Sequence, residues 1–135
     1  MPALPWFSVG TPDPDADAIV MASRLPLRSH GDIPRFLWQT WLVRRQLARS
    51  PGLIGYSLDA HLLAKTFWTV SAWQSRPDLG SFERTSPHAA ARDALRRAMM
   101  PSAFVMWRTR PEDLPITWPE VRGRLETAAS GAGRP

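Results

Sequence analysis

The chain has 135 residues, 44% of them hydrophobic, which is enough apolar mass for one domain with a single core. It contains no cysteine, and that excludes disulfides, thiolate metal sites and cysteine nucleophiles together. The net charge is +5 and the pI about 11.2, yet only Lys65 of the 17 basic residues is a lysine, and the arginines are scattered rather than gathered into a basic block.

Solvated helix faces account for such a charge distribution, so no nucleic-acid partner is expected. No apolar run approaches the roughly 20 residues of a membrane span. The first residues lack the basic start and long apolar block of a secretory signal, so the expectation is a cytoplasmic protein with no membrane partner.

Residues 1–15 are rich in proline and aspartate and read as an irregular arm, its Trp6-Phe7 pair apolar enough to dock on something. Residues 16–129 read as the single domain and 130–135 as a disordered tail. From Ile19 to Arg28 the pattern alternates, with Ile19, Met21, Ser23 and Leu25 on one face and Val20, Ala22 and Arg24 on the other. Asp32 is placed to cap a helix whose apolar stripe is Ile33, Phe36, Leu37, Thr40, Trp41, Arg44 and Leu47. Ser50-Pro51-Gly52 stops it.

Residues 53–62 alternate again. A short connection leads from them to residues 65–74, where Phe67, Thr69, Ser71 and Trp73 oppose Trp68, Val70 and Ala72. This density of aromatic and β-branched residues reads as a central strand covered on both sides, paired as a hairpin with the strand before it. Ser75 and Asp78 form a capping box for a short helix carrying Leu79 and Phe82. Pro87 opens the next helix with Ser86 as its cap, on the stripe His88, Ala91, Leu95, Ala98 and Met99. Residues 102–108 form a fourth strand. Thr117 and Glu120 open a final helix that reaches about Thr127.

The order β-α-β-β-α-β plus a C-terminal helix is the ferredoxin-like α+β arrangement, with a four-stranded antiparallel sheet and helices on one face. Strands apolar on both sides then need cover for the second face. A second copy supplies it, so a homodimer with its sheets packed face to face is expected.

In the succession of residues 66–73, Leu79, Phe82, Pro87-His88, 104–107 and 114–118 the chain resembles the dimeric α+β barrel superfamily. Within it the resemblance is to antibiotic-biosynthesis monooxygenases, in particular a spheroidene-monooxygenase-like branch. It covers residues 18–125. It implies a small monooxygenase-like enzyme of secondary metabolism, acting on a flat hydrophobic substrate of polyketide or aromatic type without a nucleotide cofactor. The superfamily also includes haem-degrading oxygenases, isomerases and non-catalytic subunits, so haem binding and a non-catalytic ligand-binding dimer remain alternatives. Where haem-degrading members carry a histidine beyond the aromatic at Phe82, this chain has Arg92, and His88 is the histidine nearby.

His88 sits on an apolar stripe in a first helical turn, where the helix dipole favours the neutral form that a general base needs. Arg24 and Arg44 are the candidates to hold a substrate anion. Trp41, Phe67, Trp73, Phe82 and Trp107 are the candidate walls of an aromatic cavity. Each has a structural alternative: a core histidine, rim arginines and plain core packing. No metal site is expected, unless His88 ligates a haem iron. No glycine-rich phosphate loop or dinucleotide fingerprint is present.

Overall fold

The computed structural model describes residues 5–132. Five strands form one antiparallel sheet: β1 (Phe7–Ser8), β2 (Ala18–Pro26), β3 (Leu53–His61), β4 (Thr66–Trp73) and β5 (Ala103–Thr109), in the spatial order β1-β3-β4-β2-β5. Four helices accompany them: α1 (Ile33–Leu47), α2 (Arg76–Arg84), α3 (His88–Leu95) and α4 (Trp118–Ala132). The four main strands and their intervening helices have the ferredoxin-like order, and β1 is an added edge strand. The irregular arm is thus corrected at Phe7 and Ser8, which pair with Tyr56 and Gly55 of β3. Gly55 permits this docking, because a Cβ there would meet the Trp6 ring at 2.3 Å.

Pairing of β2 with β4 sets the two faces of the sheet. Ile19, Met21, Ser23 and Leu25 stand opposite Trp73, Ser71, Thr69 and Phe67, while Val20 and Ala22 stand opposite Ala72 and Val70. Because strand side chains alternate, the first set shares one face and the second shares the other. The first face lies beneath α1, α2 and α3, with Phe36, Leu47, Leu79 and Leu95 reaching down to it.

The second face carries α4, whose Val121 and Leu125 pack on Val20, Ala22, Val70 and Ala72. The expectation that helices cover one face only is therefore corrected, and α4 occupies the face on which a second copy's sheet was expected to pack. Asp59 of β3, 4% exposed, pairs with Arg122 of α4, whose guanidinium also lies over the Trp68 ring at 4.3 Å. This ion pair ties α4 to the sheet. The helix runs to Ala132, past the expected end near Thr127, and residues 133–135 of the expected tail lie outside the described residues.

Three local expectations need revision. On α1 the inward line is Phe36, Thr40, Val43 and Leu47, which a 3.6-residue period keeps on one side. Leu37 and Trp41 fall outside that line and are 42% and 47% exposed. Ser86 does not cap α3; the Gln46 side chain on α1 accepts a hydrogen bond from the His88 amide at 2.7 Å instead. Asp32 makes no capping bond either, whereas Ser75 caps α2 as read, accepting from the Asp78 amide.

Trp73 is fully buried among Leu47, Leu53, Leu79 and Phe82, where α1 and α2 meet the sheet. Trp73→Ala is expected to cost about 3–5 kcal/mol, the range for deleting a large buried aromatic. Urea denaturation of the two proteins measures it.

Candidate functional site

Between the first face of the sheet and helices α1 and α3 lies an apolar-walled cavity of about 960 Å³. Its apolar walls include Met21, Leu25, Phe36, Val43, Leu58 and Phe82. Three hydroxyl side chains, Ser23 on β2 and Thr69 and Ser71 on β4, interrupt the apolar floor. Ser23 and Thr69 hydrogen-bond to each other, and Ser71 Oγ accepts from Trp73 Nε1 at 2.9 Å. Ser23 is buried, where an unpaired hydroxyl costs free energy, and Thr69 supplies its partner.

His88 lines this cavity from the first turn of α3. Two contacts fix it: its amide donates to Gln46 Oε1, and its Nδ1 lies 3.1 Å from the Glu83 carbonyl oxygen. A carbonyl oxygen only accepts, so Nδ1 carries the proton and Nε2 of the neutral ring keeps its lone pair. The ring packs on Phe82, with 4.7 Å between centroids. Burial pushes its pKa below the ordinary 6.5 and the Arg92 charge adds to that, while the Glu83 carbonyl and carboxylate pull the other way. The result is a neutral imidazole with a free lone pair.

Arg44 reaches the cavity from α1. Its Nε donates to the Tyr56 hydroxyl at 3.3 Å, and its guanidinium lies 4.6 Å from the Phe7 ring centroid. Among the described residues no carboxylate lies within 4.0 Å of it. A half-buried guanidinium stacked on aromatic rings, with no acid partner, is suited to meeting an anion.

The structure thus brings His88, Arg44 and Phe82 to one cavity. Arg24 is not among them: its place in the β2 register puts it opposite Trp68, on the face away from the cavity, and its side chain is exposed. Trp107 is likewise on the α4 face, beside Val20, with Arg124 over its ring at 4.5 Å. Trp41 points outward and stacks on Trp38. Phe67 and Trp73 are on the correct face but wholly buried one layer down, Phe67 stacked under Phe36 at 4.1 Å and Trp73 against Phe82 at 5.2 Å. These two support the walls rather than form them.

Ser23, Thr69, Ser71 and Gln46 were not singled out by sequence reasoning as site residues. Their signal was present in part. Ser23, Thr69 and Ser71 are polar interruptions on an otherwise apolar strand face, which marks either a paired network or a ligand contact. Nothing in the sequence announces Gln46.

The depressed pKa of His88 has a stability consequence. Between the folded value and 6.5 the unfolded chain binds the proton more readily than the folded one, so stability rises with pH through that window and is complete above it. Acidification below 6.5 should lower the urea midpoint of the natural protein more than that of His88→Gln. Denaturation series at matched pH values measure the difference.

No family model matches the chain, and no curated protein matches it. Solved structures do. A candidate antibiotic biosynthesis monooxygenase of Nitrosomonas europaea superposes with a TM-score of 0.63 at 18% identity, over 70% of this chain and 92% of that one. A conserved protein of Methanosarcina mazei gives 0.62 at 13% identity, over 69% and 93%. SnoaB, a cofactor-independent oxygenase of Streptomyces nogalater, gives 0.58 at 15% identity, over 77% and 99%. The chain therefore has the ferredoxin-like α+β fold of the antibiotic-biosynthesis-monooxygenase structures.

Proposed function

We propose that this protein is a small oxygenase that acts on a flat hydrophobic substrate of aromatic or polyketide type, without a nucleotide, flavin or metal of its own. The observation that carries the reading is the cavity itself. One apolar space holds a neutral histidine with an available Nε2 lone pair and an arginine with no carboxylate partner among the described residues. SnoaB, which shares the fold, is a cofactor-independent oxygenase, and that supports the same chemistry here.

In this scheme His88 Nε2 takes a proton from an activated CH₂ or phenol of the substrate. Arg44, held by Tyr56 and Phe7, stabilises the resulting anion. The anion transfers one electron to O₂, the radical pair combines to a peroxide at carbon, and loss of water leaves a carbonyl. The balance is CH₂ + O₂ → C=O + H₂O, so no external reductant is needed. The apolar walls keep water from the anion and strengthen its attraction to Arg44.

The protein acts as a homodimer in this reading. Leu37, Trp38 and Trp41 form an apolar ridge on α1, 42%, 57% and 47% exposed, which a second copy would cover. A cytoplasmic place in secondary metabolism belongs to the same proposal. The competing reading is haem held through His88 Nε2.

With an anthrone-type substrate, His88→Ala should reduce oxygen consumption by about 10²–10⁴-fold, the usual worth of a general base. An oxygen electrode measures it, and an unchanged rate removes His88 from the reaction. A Soret band in the purified protein that His88→Ala abolishes would favour the haem reading instead. Light scattering should give about twice 15.2 kDa, and the double substitution Trp38→Ser, Trp41→Ser should return the mass to 15.2 kDa. A monomeric natural protein would remove the dimer.

A further inference from the structure

The charges around the cavity do not cancel. Four arginines line it, Arg28, Arg44, Arg92 and Arg96, against one acid, Glu83. Glu83 already faces Arg76, at 3.7 Å, and Arg96 is paired with Asp93 at 2.9 Å. Arg28, Arg44 and Arg92 are left with no carboxylate within 4.0 Å among the described residues.

These three are not placed alike. Arg44 is half-buried and stacked on Phe7, deep beside Tyr56. Arg28 and Arg92 both line the cavity and are exposed, which places them at its opening. The Arg28 side chain is not loose there, since its Nε donates to the Arg97 carbonyl at 3.1 Å. The opening also carries exposed apolar side chains: Met100, Phe104 and Met106 are 46%, 56% and 40% exposed and line the same space. An apolar interior with a collar that is both apolar and cationic selects a molecule with those two properties in the same order.

We propose that the ligand of this cavity is an amphipathic organic anion, a flat apolar body with a carboxylate or similar acidic group that stays at the opening against Arg28 and Arg92. The inference rests on the reading of this cavity as the substrate site and names the class of molecule that enters it. The anionic head fixes which end of the molecule goes in first. The reactive carbon of the apolar body is thereby carried inward to His88, and Arg44 is left for the charge that develops there. Arg92 stands about one turn along α3 from His88, close enough for its charge to help lower the His88 pKa. Exposed arginines also draw such an anion from solution, an attraction that salt screens.

The test compares two molecules with one aromatic body, 9-anthracenecarboxylate and the uncharged 9-anthracenemethanol, by quenching of tryptophan fluorescence. The acid is expected to bind about tenfold more tightly than the alcohol. Raising the ionic strength to about 1 M, where the Debye length falls to about 3 Å, should remove most of that preference. The double substitution Arg28→Gln, Arg92→Gln should bring the two affinities within about twofold while the alcohol binds as before, which also shows that the variant is folded. Arg84→Gln, on α2 away from the cavity, should leave the preference intact. Equal binding of acid and alcohol overturns the proposal, and so does failure of both to bind. Oxygen uptake is read separately. Selective binding of the acid without any turnover of an acidic substrate would remove the oxygenase reading and leave the ligand class standing. Turnover without a preference for the anion would do the reverse.

Discussion

The register between β2 and β4 is the constraint on which the molecule depends. With Ser23 opposite Thr69 and Val20 opposite Ala72, one face of the sheet receives α1, α2 and α3 and the other receives α4. A slip of β2 by one residue against β4 would turn β2 over, carrying the Ser23 hydroxyl under α4, away from Thr69, and bringing Val20 and Ala22 to the cavity side. The hydrophobic cost of that slip is spread over the central strands, so the register is strongly specified. The cavity and its polar floor follow from it.

Given that floor, the position of His88 follows from two further contacts. Its amide is tied across to Gln46 on α1, and its ring is tied to the carbonyl of Glu83 at the end of α2. Three helices therefore meet at this one residue. The same contacts choose its tautomer, leaving the lone pair on Nε2. Arg44 is treated differently: among the described residues aromatic rings and a phenol hold it, not an acid. Placing both groups on helices rather than loops keeps their geometry firm.

Much of this was legible from the chain. Alternation at Ile19 to Leu25 and at Phe67 to Trp73 marked the two central strands, and the order of elements gave the ferredoxin-like arrangement that the solved structures share. His88 was readable as an inward residue because it shares a stripe with Ala91 and Leu95, both buried. Trp41 was misplaced because a stripe of spacings three and four is wide enough to take in residues at its margin, and only the packing of α1 decides which margin is covered. Arg24 was misplaced for another reason. Its face was read correctly as the one shared with Val20 and Ala22, but which face would hold the cavity is not a property of the strand.

The sequence by itself determined the four main strands, the helices between them, their order and the two faces of those strands, because local periodicity depends on near neighbours in the chain. Tertiary structure alone decided that α4 covers the second face, that Gln46 caps α3 from another helix, and that three guanidinium groups surround one cavity with no acid partner among the described residues. Those facts join residues far apart in the chain: Gln46 with His88, Asp59 with Arg122, Arg28 with Arg92. Whether a charge is compensated or a face is covered depends on what folding brings beside it, and no local pattern in the sequence carries that information.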